Sequence, residues 1–161
     1  MEEPAVEPMT VASTCADSGF LRVSLSGALT ARTELRDEDL TCESMRRPDD
    51  RGVRLRLSTD IDGERLAIII AMPELDAGET GAGFDSIVTI TVDGSGRFFS
   101  TANLGACWTD VAGNEPLDGA GGAHVISGAV SCVGPLGEFN GDAYVDVQEL
   151  VFSGIADWSK S

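Results

Sequence analysis

The stretch Val53–Met72, VRLRLSTDIDGERLAIIIAM, decides the fold class. Two runs rich in apolar and β-branched residues flank Asp62-Gly63. An Asp-Gly pair in that setting is the strongest short-range signal for a two-residue hairpin turn, because both turn residues must accept positive φ. Folding about this turn sets Ile61 against Glu64, Asp60 against Arg65, Leu57 against Ile68, Leu55 against Ile70 and Val53 against Met72. One face is then wholly apolar, while Arg54, Arg56 and Ser58 stand on the other, so a slip of one residue would turn the apolar set outward.

Downstream, SIVTITV and RFFST form a second hairpin through Asp93-Gly94-Ser95-Gly96. A turn centred on Gly94-Ser95 pairs Val92 with Arg97 and Ile90 with Phe99, keeping Val88, Ile90 and Phe99 on one face. Upstream, GFLRVSLSGAL is a first strand carrying Phe20, Val23 and Leu25, with Gly27 at a bulge or at its end. Thr33–Arg47 is the one region with a helical stripe (Leu35, Cys42, Met45), and a short strand through Cys42 is the competing reading. Pro73–Gly83 and Val111–Ala123 read as glycine-rich loops, Ala102–Trp108 as a short strand, and His124–Val133 and Ala143–Gly154 as closing strands.

The expectation is therefore an all-β fold: a single antiparallel β-sandwich or partly open barrel of about eight short strands, with at most one short helix near 33–47. A flexible, Glu- and Pro-rich tether over residues 1–16 precedes a single domain over 17–161.

The chain of 161 residues holds 27 acidic against 11 basic side chains, a net charge of -16. After Arg65 the only bases are Arg97 and Lys160. A field of this sign disfavours nucleic acid and anionic membrane surfaces as partners, and leaves a protein, a small molecule or a cation. A salty habitat would favour the same composition. The arginines between Arg32 and Arg56 lie among acids and read as a salt-bridged, solvated surface. No stretch is apolar enough to span a bilayer as a helix, and the acidic start is unlike a leader.

Cys15, Cys42, Cys107 and Cys132 contain no C-x-x-C pair, and His124 is the only histidine, so two disulfides fit better than a zinc site. Of the three connectivities, Cys15–Cys42 with Cys107–Cys132 is favoured, since each closes a short loop on its own side of the central hairpins. Paired cysteines imply an oxidising location: secreted, periplasmic or cell-surface, with the leader absent from this chain.

Few residues offer chemistry. His124 sits in an alternating strand and no G-x-S-x-G elbow is present, so no catalytic triad is expected; Gly94-Ser95-Gly96 reads as a turn. Scattered carboxylates leave a secreted hydrolase as a third reading, which would need two acids about 5 to 9 Å apart across a cleft. Asp60, Asp62 and Glu64, with Asp93, are a lesser cation candidate, more simply read as turn formers. Trp108 beside the Val111–Ala123 loop is the ligand-binding candidate, with the Pro73–Gly83 loop completing a mouth.

The sharpest local match is EFNGDAYVDVQEL. Glu138, Asn140, Asp142, the Tyr144 carbonyl, Asp146 and Glu149 fall at the ligand positions of a calcium loop, and the stretch resembles the loops of EF-hand and dockerin modules. It departs from them with Glu at the first position, Ala143 where the bend calls for glycine, and no flanking helices. The competing reading makes Tyr144–Phe152 the closing strand, with Val145 and Val147 inward. Calcium is the one cofactor the sequence suggests.

Taken whole, the acidic tether, the paired cysteines and the closing pattern HVISGAVSC with AYVDVQELVFSG resemble exported, often lipid-anchored β-sandwich proteins of bacterial envelopes. The resemblance covers 17–161, implies an envelope or extracellular location, and carries no catalytic residue. The resulting expectation is a disulfide-stapled binding or structural module that is not an enzyme, with a calcium-dependent module as the alternative.

Overall fold

The computed structural model describes residues 14–45, 51–61, 63–117 and 122–158. Almost all of the expected tether, the turn residue Asp62 and the Arg46-Arg47 pair lie outside these residues.

The fold is all β: β1 (Phe20–Gly27), β2 (Ala31–Arg36), β3 (Thr41–Ser44), β4 (Val53–Ile61), β5 (Glu64–Met72), β6 (Gly81–Asp93), β7 (Arg97–Ser100), β8 (Cys107–Pro116), β9 (Ala123–Cys132), β10 (Leu136–Glu138) and β11 (Tyr144–Asp157). The central hairpin β4–β5 has the expected register, from Ile61 opposite Glu64 to Val53 opposite Met72. The β6–β7 hairpin likewise pairs Val92 with Arg97 and Ile90 with Phe99.

All ladders are antiparallel and belong to one sheet of 11 strands. Three consecutive pairs, β2 with β3, β7 with β8, and β9 with β10, each continue in one direction as an interrupted pass, so the eleven strands make eight passes up and down. β7 and β8 follow one another along β6, while β9 and β10 follow one another along β11. At the corner between β2 and β3 the chain leaves β1 and joins β4. The result is a barrel left open at one seam. It is also flattened, because opposite walls touch: a Cβ on Gly154 of β11 would stand 3.2 Å from Leu57 Cδ2 and 3.5 Å from Leu55 Cδ1 of β4. The backbone N–H of Asp157 donates to Ser44 Oγ at 2.8 Å across the same junction.

The inward residues form one contiguous core from Cys15 to Ala156, with Phe99, Phe152, Leu55, Ile70 and Ile90 fully buried. In β11 the inward set changes parity, from Val145 and Val147 to Leu150, Phe152 and Ala156. A bulge between Ser24 and Leu25 of the β1 ladder, with Gln148 as the extra residue, makes the switch.

The region with a helical stripe is not a helix. Thr33–Arg36 belongs to β2, Asp37–Asp39 is a single 3-10 turn, and Cys42 lies on β3. Pairing to β1 and β4 overrides the weak helical periodicity, and Thr59 Oγ1 donates to the Asp39 carbonyl at 2.7 Å to hold the corner.

Both disulfides have the favoured connectivity. Cys15–Cys42 anchors the segment before β1 beside the open seam, where the Cys42 N–H donates to Thr14 Oγ1 at 3.0 Å. Cys107–Cys132 joins residues directly opposite on β8 and β9.

The loops differ from expectation. Ala102–Ala106 is an excursion between β7 and β8, not a strand, while Val111–Pro116, read as loop, continues β8. Its pairing with β9 accommodates Gly113 through a register shift after Val111 and places Pro116 at the strand end. Gly81–Gly83, read as loop, begins β6. Residues 73–80 plug the end of the barrel: Leu75 is fully buried, Asn114 Nδ2 donates to the carbonyls of Asp76 (3.1 Å) and Glu79 (2.9 Å), and Trp158 Nε1 donates to the Leu75 carbonyl at 3.2 Å.

Candidate functional site

With the barrel interior occupied by side chains and one end plugged by Leu75, the outer walls are where a ligand can be met. Alternation gives each strand one outward row. Phe99 is inward, so Phe98 is outward; Leu136 and Val145 are inward, so Gly137 and Tyr144 are outward. Cross-strand pairing then aligns Ile69, Thr89, Ser100, Gly137 and Tyr144 in one row over five strands. Beside it run Ala67, Thr91 and Phe98.

The large apolar side chains exposed among the described residues are Leu104, Val133, Phe139 and Tyr144. Phe139 and Tyr144 flank the β10–β11 turn, and Leu104 and Val133 lie on the segments between β7 and β8 and between β9 and β10. Phe139, in the β10–β11 turn, is 61% exposed yet stacks on Phe98 with ring centroids 4.8 Å apart, and its N–H donates to the Phe98 carbonyl at 3.0 Å. Tyr144 is 52% exposed on the other side of Gly137, where an added Cβ would meet nothing within 4 Å. The rings thus border a bare notch in a rigid sheet. Leu104 and Val133 lie on the excursions that interrupt the two passes, tied by the Val133 N–H to the Ala106 carbonyl at 2.9 Å and stapled by the adjacent Cys107–Cys132 bond.

Below the notch, Arg97 and Glu138 close the end of the barrel. Arg97 lies over the Phe99 ring at 5.2 Å and its Nε donates to Glu138 Oε2 at 2.8 Å. That hydrogen bond, with the guanidinium charge behind it, holds the Glu138 carboxyl below its ordinary range and raises Arg97.

The residues singled out in the sequence fall as follows. Trp108 lies half-buried on the outer row of β8, between Asp85 and Ser131, close to the Leu104 and Val133 excursions. Val111–Pro116, the described part of the expected neighbouring loop, runs away from Trp108 along β8. Of the calcium-loop residues, Glu138 turns to Arg97, the Tyr144 carbonyl accepts the Ala28 N–H at 2.8 Å, Asp146 pairs across the ladder with Ser26, and Glu149 accepts from Arg22 at 3.2 Å. Asn140 takes a left-handed φ of 60 degrees in the turn, and Asp142 is exposed. The strand reading of Tyr144–Phe152 is the one the fold adopts. Among the described residues no group of three or more His, Cys, Asp or Glu side chains is placed to hold a metal ion. Of the turn acids, Asp60 faces Arg65 and Asp93 faces Arg56. His124 Nδ1 is 3.1 Å from the Gly122 carbonyl and its ring meets Trp158 edge-on at 5.0 Å. Ser95 donates to the Val92 carbonyl in the opposite end of the barrel.

A surface concavity of about 550 Å³ lies on another wall over the bulge, lined by Arg22, Ser24, Arg32, Glu34, Gln148 and Glu149. Its charges are largely spent on one another: Arg22 bridges Glu34 and Glu149. The aromatic notch has no such internal partners for its exposed surface. No helix among the described residues is long and apolar enough to cross a membrane. Fold and site define a disulfide-stapled, flattened β-barrel with a side-chain-filled interior and an exposed aromatic face. No family model, curated protein or solved structure matches this chain.

Proposed function

We propose that this protein is an exported binding module whose contact surface is the outer wall of β7–β8, β9–β10 and the start of β11. The observation that carries this reading is the exposure of Phe139 and Tyr144 about the β10–β11 turn, beside a notch at Gly137, with Leu104 and Val133 on the segments between β7 and β8 and between β9 and β10. Exposed apolar side chains scattered singly need no explanation, but a contiguous set rimmed by polar groups marks a contact site. Rigid mounting supports the same view: strands, a stacked ring pair and a disulfide hold the face, so little ordering entropy is lost on binding. Export is supported by the two disulfides, which persist in oxidising compartments.

The test is the triple variant Leu104→Ser, Val133→Ser, Tyr144→Ser. Exposed substitutions of this kind change stability by about 0.5 kcal/mol each at most. The variant should melt like the parent but lose its retention on a hydrophobic-interaction column. A loss of more than about 3 kcal/mol, in the range of buried large-to-small changes, would show that these side chains serve the core and would remove the reading. Export is checked separately by thiol labelling of the denatured, unreduced protein from its native host; labelling of all four cysteines would exclude it.

A further inference from the structure

Resting on that contact-face reading, we infer that the occupant of the face is a basic protein surface, presenting an apolar anchor to the Gly137 notch with lysine or arginine around it. Charge is the observation that identifies the partner. Several carboxylates on the remaining walls are matched within the chain: Glu34 and Glu149 meet Arg22, Glu43 meets Arg56, Asp60 meets Arg65 and Glu74 meets Arg51, whereas Glu38, Asp39, Glu64 and Glu115 make no ion pair among the described residues. Around the aromatic face only Glu138 is matched, by Arg97. Asp85, Asp142 and Asp146 make no ion pair or side-chain hydrogen bond among the described residues, and the one described base after Arg65 is Arg97, which Glu138 holds. The face is therefore an apolar strip inside a rim of uncompensated negative charge.

A partner of matching chemistry supplies what the chain lacks. An aliphatic or aromatic side chain fits the notch: β7 and β11 stand two ladder spacings apart, about 10 Å, with Gly137 as the floor between Ser100 and Tyr144 and the Phe98–Phe139 stack one row along. Cations on the partner would complete the rim, speed encounter and select against acidic competitors. A second copy would set like charge against like charge at a net -16 per chain. Nucleic acid and anionic membranes are repelled for the same reason, and a neutral saccharide would leave the carboxylates unmatched.

The experiment is selection of a random peptide library on the intact, disulfide-bonded protein, with counter-selection on Phe139→Ser. Peptides specific to the wild type should place Lys or Arg beside Leu, Phe or Trp. Their affinity should fall about tenfold or more on Phe139→Ser, several-fold on Asp142→Asn with Asp146→Asn, and about tenfold between low salt and about 0.5 M salt, while Arg54→Ala on another wall leaves it unchanged. Three results would overturn the inference: selected peptides lacking basic residues or binding independently of salt; a dimer in sedimentation equilibrium that Phe139→Ser dissolves; or retardation of the protein in gels cast with a neutral polysaccharide. Any of these, with the triple serine variant still stable, leaves the contact face standing and removes only the basic partner. An unstable triple variant removes both.

Discussion

Gly154 reports on whether the barrel is flattened. It is the inward position of β11 where the opposite wall comes closest, and a Cβ there would sit 3.2 Å from Leu57 Cδ2 and 3.5 Å from Leu55 Cδ1. Alanine would require Leu57 to give by a few tenths of an ångström, which a terminal methyl can do. Gly154→Ala should therefore change stability by less than about 1 kcal/mol, because relief of the strand-weakening glycine offsets the crowding. Valine adds two further methyls with no room, and overpacking of this kind costs about 1 to 3 kcal/mol. Leu57→Ala alone should cost about 2 to 5 kcal/mol through its cavity. Since the methyls introduced by Gly154→Val would enter the space vacated by Leu57→Ala, the double variant should be more stable than the sum of the single changes by about 1 kcal/mol or more. Urea unfolding with disulfides intact measures all four variants. With a slope of about 2 kcal/mol/M, a loss of 2 kcal/mol lowers the midpoint by about 1 M. Additive effects, or a neutral Gly154→Val, would refute the packing of β4 across β11 and with it the flattened cross-section.

The plug at the far end depends on Asn114, whose amide donates to two loop carbonyls. Asn114→Leu should cost about 1 to 3 kcal/mol, with faster amide exchange confined at first to residues 73–80; uniform destabilisation would argue against the plug. Glu138 should titrate below the ordinary carboxyl value of 4.5, because Arg97 donates to it. A lowered folded value means its contribution is present above the unfolded value and lost as pH falls through the folded one, and Arg97→Ala should return the carboxyl resonance to the ordinary range in a carbon-detected NMR titration. An unchanged titration in that variant would assign the shift elsewhere.

What could be read from the chain follows from how local each determinant is. The β4–β5 register is set by Asp62-Gly63 and its immediate flanks, so it was legible in full, and the same holds for β6–β7. The corner after β2 was not. Leu35, Cys42 and Met45 satisfy a thin helical stripe and a strand equally, and the deciding partners, Phe20–Leu25 and Leu55–Ser58, lie far away in sequence. Val111–Pro116 failed for a related reason: Gly113 and Pro116 announce a loop locally, whereas the cross-strand ladder with β9 makes it a strand. The cysteine pairing was accessible because loop length separates the three connectivities. One part of the proposed contact face follows from local alternation. Placing Phe99 inward puts Phe98 outward, and Trp108 stood out as an aromatic near a break. The stacking of Phe139 on Phe98 was hidden, since it depends on β10, a strand of three residues that no periodicity reveals.

A barrel whose interior is filled by Phe99, Phe152 and the aliphatic rows has no room left for a ligand among them, so the proposed binding role falls to a wall. A wall can recognise only if its side chains are fixed, and a regular sheet leaves outward residues on flat, featureless rows. This wall departs from that in three places. The sheet is interrupted at Ala102–Ala106 and again before β10, where Leu104 and Val133 are exposed; Gly137 leaves the surface bare beside Tyr144; and the β10–β11 turn folds Phe139 back onto Phe98. Interruptions in a ladder give up hydrogen bonds and would loosen the hairpin. Cys107–Cys132 lies directly beside them, the position at which a cross-link restrains both passes. In the proposed role the disulfide on this wall supports the apolar face as well as the fold, whereas Cys15–Cys42 links the segment before β1 to β3 at the edge of the sheet.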